Sequence, residues 1–166
     1  MGGMVRKQGL PPIADEATRL FILGSLPGNR SLETGRYYAH PTNQFWKLVG
    51  PIVGEDLSAM DYSSRLNALA RHGIGLWDVV SAAVRDGSAD SAILDAVPNP
   101  IGGLKREYPR LEAIAFNGGR AAKDGRQLLA GVDSVTLYDL PSSSGRAPIG
   151  LSQKAAVWMK VACHVK

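Results

Sequence analysis

Short apolar runs closed by turn residues alternate along this chain with stretches in which apolar positions recur at helical spacing. The runs at 19–24, 74–80, 112–117 and 134–140 predict strands, because a short continuous apolar run between turns suits a strand buried on both faces. The periodic stretches predict helices at 43–53, 63–72, 119–129 and 152–163, the first opening after Pro41-Thr42 and the second closing at Gly73. Strands buried on both faces need helices on both sides of their sheet. The expected fold class is therefore α/β, a three-layer α/β/α sandwich around a central, mainly parallel four-stranded sheet. Residues 1–18 read as an N-terminal extension and 19–166 as a single domain. The segment 85–103, with Pro98 and Pro100, is the expected irregular excursion.

Composition narrows the class. With 45% hydrophobic and 20% charged residues over 166 positions, the chain can bury one ordinary core. Its longest apolar runs stop far short of the roughly 20 residues needed to cross a membrane. No signal-peptide or lipidation pattern is recognisable, so a cytoplasmic protein without membrane contact is expected. A single cysteine, Cys163, leaves no intramolecular disulfide and no cysteine-ligated zinc or iron–sulfur site. His40, His72 and His164 lack metal-ligand spacing, and neither a metal nor another cofactor is expected. The net charge of +4 is uneven: Lys and Arg outnumber Asp and Glu by 6 to 3 over residues 1–50 and by 10 to 5 over 101–166, but are outnumbered 3 to 7 between them. Basic outer thirds suit a face that binds a polyanion, although a mildly basic surface with scattered lysines fits the same charges.

Ligands of parallel α/β sheets bind beyond the carboxyl ends of the strands. Here those ends carry Gly24-Ser25-Leu26-Pro27-Gly28, Asp78, Asn117-Gly118-Gly119 and the loop from Leu140 to Arg146. The first loop lacks the G-x-x-x-x-G-K-S/T phosphate cradle, no G-x-G-x-x-G follows a strand, and Ser25 stands outside a G-x-S-x-G elbow. In Tyr37-Tyr38-Ala39-His40-Pro41-Thr42-Asn43-Gln44-Phe45-Trp46, the positions of Phe45 and Trp46 read as the buried face of a helix. Tyr38 and Asn43 lie in or beside a loop, where an aromatic face and an amide suit a pocket that stacks on a base and holds a water. A helix cap at Thr42 or Asn43 fits the same residues. Ser142, Ser143, Ser144, Gly145 and Arg146 supply hydroxyls, backbone N–H groups and a guanidinium, the usual contacts to phosphate oxygens. Serine-rich turns also occur without function.

Five motifs in this order, GSLPG, YYAHPTNQFW, GIGLWDV, FNG and LPSSSGR, resemble the uracil-DNA glycosylase superfamily. The resemblance is nearest to its hypoxanthine-DNA (deoxyinosine) glycosylases and spans nearly the whole chain from Leu20. It implies a base pocket walled by the backbone of Gly24, Ser25 and Leu26, with Tyr38 stacked on a flipped base and Asp78 and Asn117 at its edge. Asp78 in that place could accept the N1–H of hypoxanthine; a buried or capping acid is its other reading, and Asn117 could serve only to shape its turn. Ser142, Ser143, Ser144, Gly145 and Arg146 would grip phosphates and fill the gap left by the extruded nucleotide. The first motif offers Ser25, not the activating Asp of the classical uracil enzymes or the Asn of the mismatch-specific ones. That implies weak uracil activity and moves the catalytic burden to Asn43, while the missing cysteines exclude the iron–sulfur branches.

The resemblance thus implies a monofunctional DNA-repair glycosylase that flips a deaminated base, hypoxanthine first and uracil second, and hydrolyses its N-glycosidic bond to leave an abasic site. An amide cannot deprotonate water, so Asn43 would position the nucleophile. No lysine sits in a motif, and no Schiff-base lyase step is expected. The expected partner is DNA containing deaminated bases, met by a monomer. A catalytically silent DNA-binding module of the same fold is one rival. A hydrolase of free nucleosides is another, but Arg146 and the serine loop would then have no phosphate to grip.

Overall fold

The computed structural model describes residues 5–166. Its elements run β1 (Arg6–Gln8), β2 (Leu20–Gly24), α1 (Asn29–Thr34), α2 (Phe45–Val53), α3 (Tyr62–Arg71), β3 (Ile74–Asp78), β4 (Val80–Val84), β5 (Leu94–Pro98), α4 (Leu104–Glu107), β6 (Ala113–Asn117), α5 (Gly119–Leu128), β7 (Thr136–Leu140) and α6 (Leu151–Trp158). The four apolar runs become β2, β3, β6 and β7, which form one sheet in the order β3-β2-β6-β7 with every pairing parallel. Side-chain alternation divides its residues between two cores. Leu20, Ile22, Ile74, Leu76, Ala113 and Ala115 face Phe45, Leu48, Leu69 and Trp158 of α2, α3 and α6. Phe21, Leu23, Ile114 and Phe116 face Ile101, Leu104 and Ala121 on the other side. The three-layer α/β/α sandwich is the observed architecture.

A second sheet was not expected. The run 74–80 breaks at Val79, whose N–H donates to the Gly24 carbonyl at 2.8 Å, and β4 leaves the parallel sheet to pair antiparallel with β1 and β5. The apolar signal fails here for a physical reason: β1 is Arg-Lys-Gln, and all five residues of β5 are exposed, so neither strand buries a face. The segment 85–103 is accordingly not an irregular excursion but carries the return strand of a hairpin. Residues 5–18 are likewise built into the domain and are not an appendage. Beyond β1, Ile13 and Leu76 exchange two backbone hydrogen bonds of 2.8 Å, and Leu10 and Ile13 pack on the first core. Residues 1–4 of the expected extension lie outside the described residues. The last helix stops at Trp158 and continues as a 3-10 turn over Met159–His164. No helix among the described residues is long and apolar enough to cross a membrane.

Candidate active site

The carboxyl ends of β2, β3 and β6 and the loop after β7 open into a cavity of about 510 Å³. Asp78, the last residue of β3, is among its lining residues and is 4% exposed. A Cβ on Gly24 would lie 2.6 Å from Asp78 Oδ1, so only glycine lets the carboxylate rest against β2. Asp78 Oδ2 is buried and has no hydrogen-bond partner among the described residues. Burial, reinforced by the neighbouring Asp90 and opposed by Arg85, lifts the Asp78 carboxyl from 3.8 to about 7.

The opposite wall is built from neutral groups. Helix α2 begins at Phe45, and Asn43 stands just before it, where its Oδ1 accepts the Phe45 N–H at 3.0 Å and the Ser143 hydroxyl at 2.8 Å. A backbone N–H can meet only the oxygen of the amide, which fixes the orientation of Asn43. With both lone pairs of Oδ1 engaged and no partner for Nδ2 among the described residues, Asn43 offers the cavity two donors. The two readings of Asn43, helix start and pocket amide, are therefore compatible: its oxygen serves the helix and its nitrogen is free.

Asn117 and Ser143 line the cavity but spend their polar groups on each other and on neighbours in its wall. Asn117 Oδ1 accepts the Ser143 N–H at 2.8 Å, while its Nδ2 donates to Ser143 Oγ at 2.9 Å and to the Tyr38 hydroxyl at 3.2 Å. Both donors of that amide are spent inside the protein, so Asn117 props the wall and does not stand free at a base edge. Ser143, expected among the phosphate contacts, is 1% exposed and joins Asn117 to Asn43. Ser142, Ser144, Gly145 and Arg146 stay on the rim, with Arg146 exposed. Their loop is fastened from below: the buried Lys154 donates to Gln44 Oε1 at 2.7 Å and to the Ser144 carbonyl at 3.0 Å. A Cβ on Gly145 would come within 2.6 Å of the Thr42 carbonyl, so the loop lies directly on the segment that carries Asn43.

Tyr38 adopts a left-handed backbone at φ 53°, which costs a residue other than glycine about 1–3 kcal/mol and is held by its surroundings. Its ring lies parallel to that of Phe45, 7° from coplanar with centroids 3.9 Å apart, and Trp46 Nε1 donates to its carbonyl at 3.3 Å. Phe45 and Trp46 are core residues, as their helical spacing predicts. Phe45 also covers one face of Tyr38. Burial and the nearby Asp78 push the Tyr38 hydroxyl far above its ordinary range, so it remains protonated.

Sequence reasoning missed the third wall altogether, the connection between β4 and β5. Ser25 Oγ donates to Asp90 Oδ1 at 2.5 Å, and Ser88 Oγ accepts the Asn29 N–H at 3.0 Å. Arg85, 1% exposed, donates to the carbonyls of Leu26 (3.3 Å) and Pro27 from beneath and leaves its Nε without a partner among the described residues. Lys7 ties Asn29 Oδ1 at 2.6 Å to the Gly87 carbonyl at 2.9 Å. Leu26 turns its side chain into a small core with Val80, Ala83 and Ile93, so what it can offer the cavity is backbone. The one available signal was Asp86-Gly87-Ser88, a turn sequence that predicts a hairpin tip.

Residues 11–161 match the model of the Uracil DNA glycosylase superfamily. The chain belongs to the uracil DNA glycosylase superfamily. Similar proteins include one named hypoxanthine DNA glycosylase from Methanosarcina barkeri, 43% identical over 155 residues, covering 93% of this chain and 96% of that protein. A protein of the same name from Methanosarcina acetivorans is 43% identical over 158 residues, with 95% of this chain and 99% of that one covered. The solution NMR structure of a Methanosarcina acetivorans protein described as a uracil DNA glycosylase superposes with a TM-score of 0.86 at 41% identity, covering 96% of this chain and 98% of that one. The superfamily is the one to which the five motifs point. Within its fold, this member surrounds one cavity with a neutral wall, a buried acid and a hairpin.

Proposed function

We propose that this chain is a monofunctional DNA glycosylase that excises hypoxanthine, and secondarily uracil, from DNA. The observation that carries this reading is the buried, unpartnered carboxyl of Asp78 in a cavity that also receives the free donors of Asn43. Hypoxanthine and uracil both present a lactam edge, an N–H beside a C=O. A carboxylate can accept that N–H. A carboxyl raised to about 7 is also protonated in part at neutral pH, and in that form it supplies one acceptor and one donor side by side. The ring face of Tyr38 away from Phe45 is where an extruded base in the cavity would stack, and a flipped base is needed because the glycosidic bond is out of reach inside a duplex. Asn43 Nδ2 would hold the attacking water or the leaving base, contributing through orientation and hydrogen bonding. Ser142, Ser144, Gly145 and Arg146 would meet phosphates at the rim, and the names of the similar Methanosarcina proteins support the choice of hypoxanthine. The proposed partner is DNA containing deaminated bases, engaged by a cytoplasmic monomer.

The test is single-turnover excision from duplex oligonucleotides holding one deoxyinosine or one deoxyuridine, read as strand scission after alkali. Cleavage at deoxyinosine, with slower or no cleavage at deoxyuridine, is expected. Salt-sensitive binding with no cleavage of either would instead make the chain a silent DNA-binding member of the superfamily, and faster cleavage of free deoxyinosine than of the duplex would make it a nucleoside hydrolase.

A further inference from the structure

Hydrolysis of an N-glycosidic bond consumes a water molecule, and some group must accept the proton that this water loses. Asn43 is not that group, since its Oδ1 already accepts two hydrogen bonds and its free atoms are donors. The amide of Asn117 is spent within the wall. Two carboxylates reach the cavity, Asp78 and Asp90. They sit at different depths: Asp78 is buried at the end of β3, whereas Asp90 is half-buried on the hairpin. A base that enters as far as Asp78 leaves its sugar nearer the mouth, where the less buried carboxylate would meet it.

We propose that Asp90 is the general base of this enzyme, working as a dyad with Ser25. The inference rests on the glycosylase reading above and names a residue that reading leaves unused. Ser25 is 7% exposed at the end of β2, and its hydroxyl donates to Asp90 Oδ1 at 2.5 Å. Oδ2 of Asp90 has no partner among the described residues, and the N-cap of its own 3-10 turn is Ala89, so the carboxylate is not consumed in capping. Its backbone is pinned from two sides. The Asp90 carbonyl accepts from Arg120 Nη1 of α5 at 3.3 Å, and the bond between Asn29 N–H and Ser88 Oγ holds the hairpin tip over the loop after β2. A carboxylate fixed in this way can orient a water as well as accept its proton.

In the proposed step the water oxygen bonds to C1′ as the C1′–N9 bond breaks, and the bonding pair leaves with hypoxanthine. The water proton passes to Asp90, directly or through Ser25, which takes it while giving its own to the carboxylate. The departing base anion then recovers a proton from solvent. The two acids divide the work by position: burial inclines Asp78 to keep its proton, and Asp90, nearer the mouth, meets the water. Charged and titratable groups that face Asp90 are Asp78 on β3, Arg85 beyond β4, Arg120 on α5 and Tyr38.

The experiment is single-turnover excision from deoxyinosine duplex by the wild type, Asp90→Asn and Ser25→Ala across the pH range, with duplex affinity and Tm measured alongside. Asn keeps the shape and the acceptor for Ser25 but cannot take a proton. Asp90→Asn should slow excision about 100-fold, flatten the acid limb of the pH–rate profile and leave affinity and Tm close to wild type. Ser25→Ala, a smaller change to the structure, should cost about tenfold and move the acid limb without removing it. A rate for Asp90→Asn within about threefold of wild type, or a loss confined to affinity or Tm with the acid limb intact, would overturn the proposal. A wild type that leaves both deoxyinosine and deoxyuridine duplexes uncut fails at the first comparison and overturns the glycosylase reading itself.

Discussion

On one side of the cavity Asn43, Ser143, Asn117 and Tyr38 exchange hydrogen bonds until, among the described residues, the Nδ2 of Asn43 and the hydroxyl hydrogen of Tyr38 are left over. On the other, Asp78 keeps a buried atom, Oδ2, with no partner among the described residues, and beneath that wall Arg85 leaves its Nε without one. An unsatisfied buried polar group costs about 1–3 kcal/mol, and more when charged. The closed network therefore reads as rigid scaffolding. At Asp78 the open side carries a standing cost that a ligand with a matching group would relieve. Positioning and recognition are thus assigned to different walls, although both are made of the same few polar residue types.

The largest expected effect comes from removing the free amide donors of the closed wall. Asn43→Ala should lower single-turnover excision of hypoxanthine roughly 100- to 1000-fold, while duplex affinity measured by fluorescence anisotropy changes little. Comparable activity would deny that wall any chemical part. Next comes the acid on the open side. Folding raises Asp78 from 3.8 to about 7, so the native state holds this proton more tightly than the unfolded chain does. The stability gained in that way is complete below about pH 4 and is lost as pH rises through about 7. Asp78→Asn removes the dependence, and in denaturant titrations it should be more stable than wild type by roughly 2–4 kcal/mol at about pH 8, with the difference shrinking toward about pH 4.

A smaller effect tests whether the closed wall is scaffolding. Ser143→Ala breaks the link between Asn117 and Asn43 and should destabilise the fold by about 1–2 kcal/mol, with a loss of rate below that of Asn43→Ala. A neutral outcome in stability would mean that the network carries no strain-bearing role. The smallest change belongs to the rim. Arg146→Ala should weaken duplex binding several-fold regardless of the target base and lower the slope of log affinity against log salt by about 1, leaving the chemical step intact.

The parallel sheet and its helices were legible because β2, β3 and β6 bury both faces, so Phe21, Ile22, Ile114 and Phe116 appear in unbroken apolar runs, while the edge strand β7 keeps only Leu140 buried. Asp78 and Asn43 were legible because they stand at a strand end and a helix start. Strands β1 and β5 were not, since Arg6, Lys7 and the exposed residues of β5 write no periodicity into the chain. Asp90 shared that fate: what makes it notable is its meeting with Ser25, 65 positions away, and no local pattern encodes a contact of that range. Asn117 and Ser143 line the cavity, and of the two readings open for Asn117 its hydrogen bonds favour shaping the wall. Which hydrogen bonds a side chain has left to give depends on its neighbours in space.

The break at Val79 has a practical reading for redesign. Because β4 and β5 leave the parallel sheet there and β5 is wholly exposed, residues 86–92 resemble a replaceable cartridge clipped to a finished chassis. Varying that tip around a retained Asp90 would change which side chains meet a ligand while the cores on the two faces of the parallel sheet stay as they are, so libraries aimed at altered base preference can begin with one short stretch of the gene.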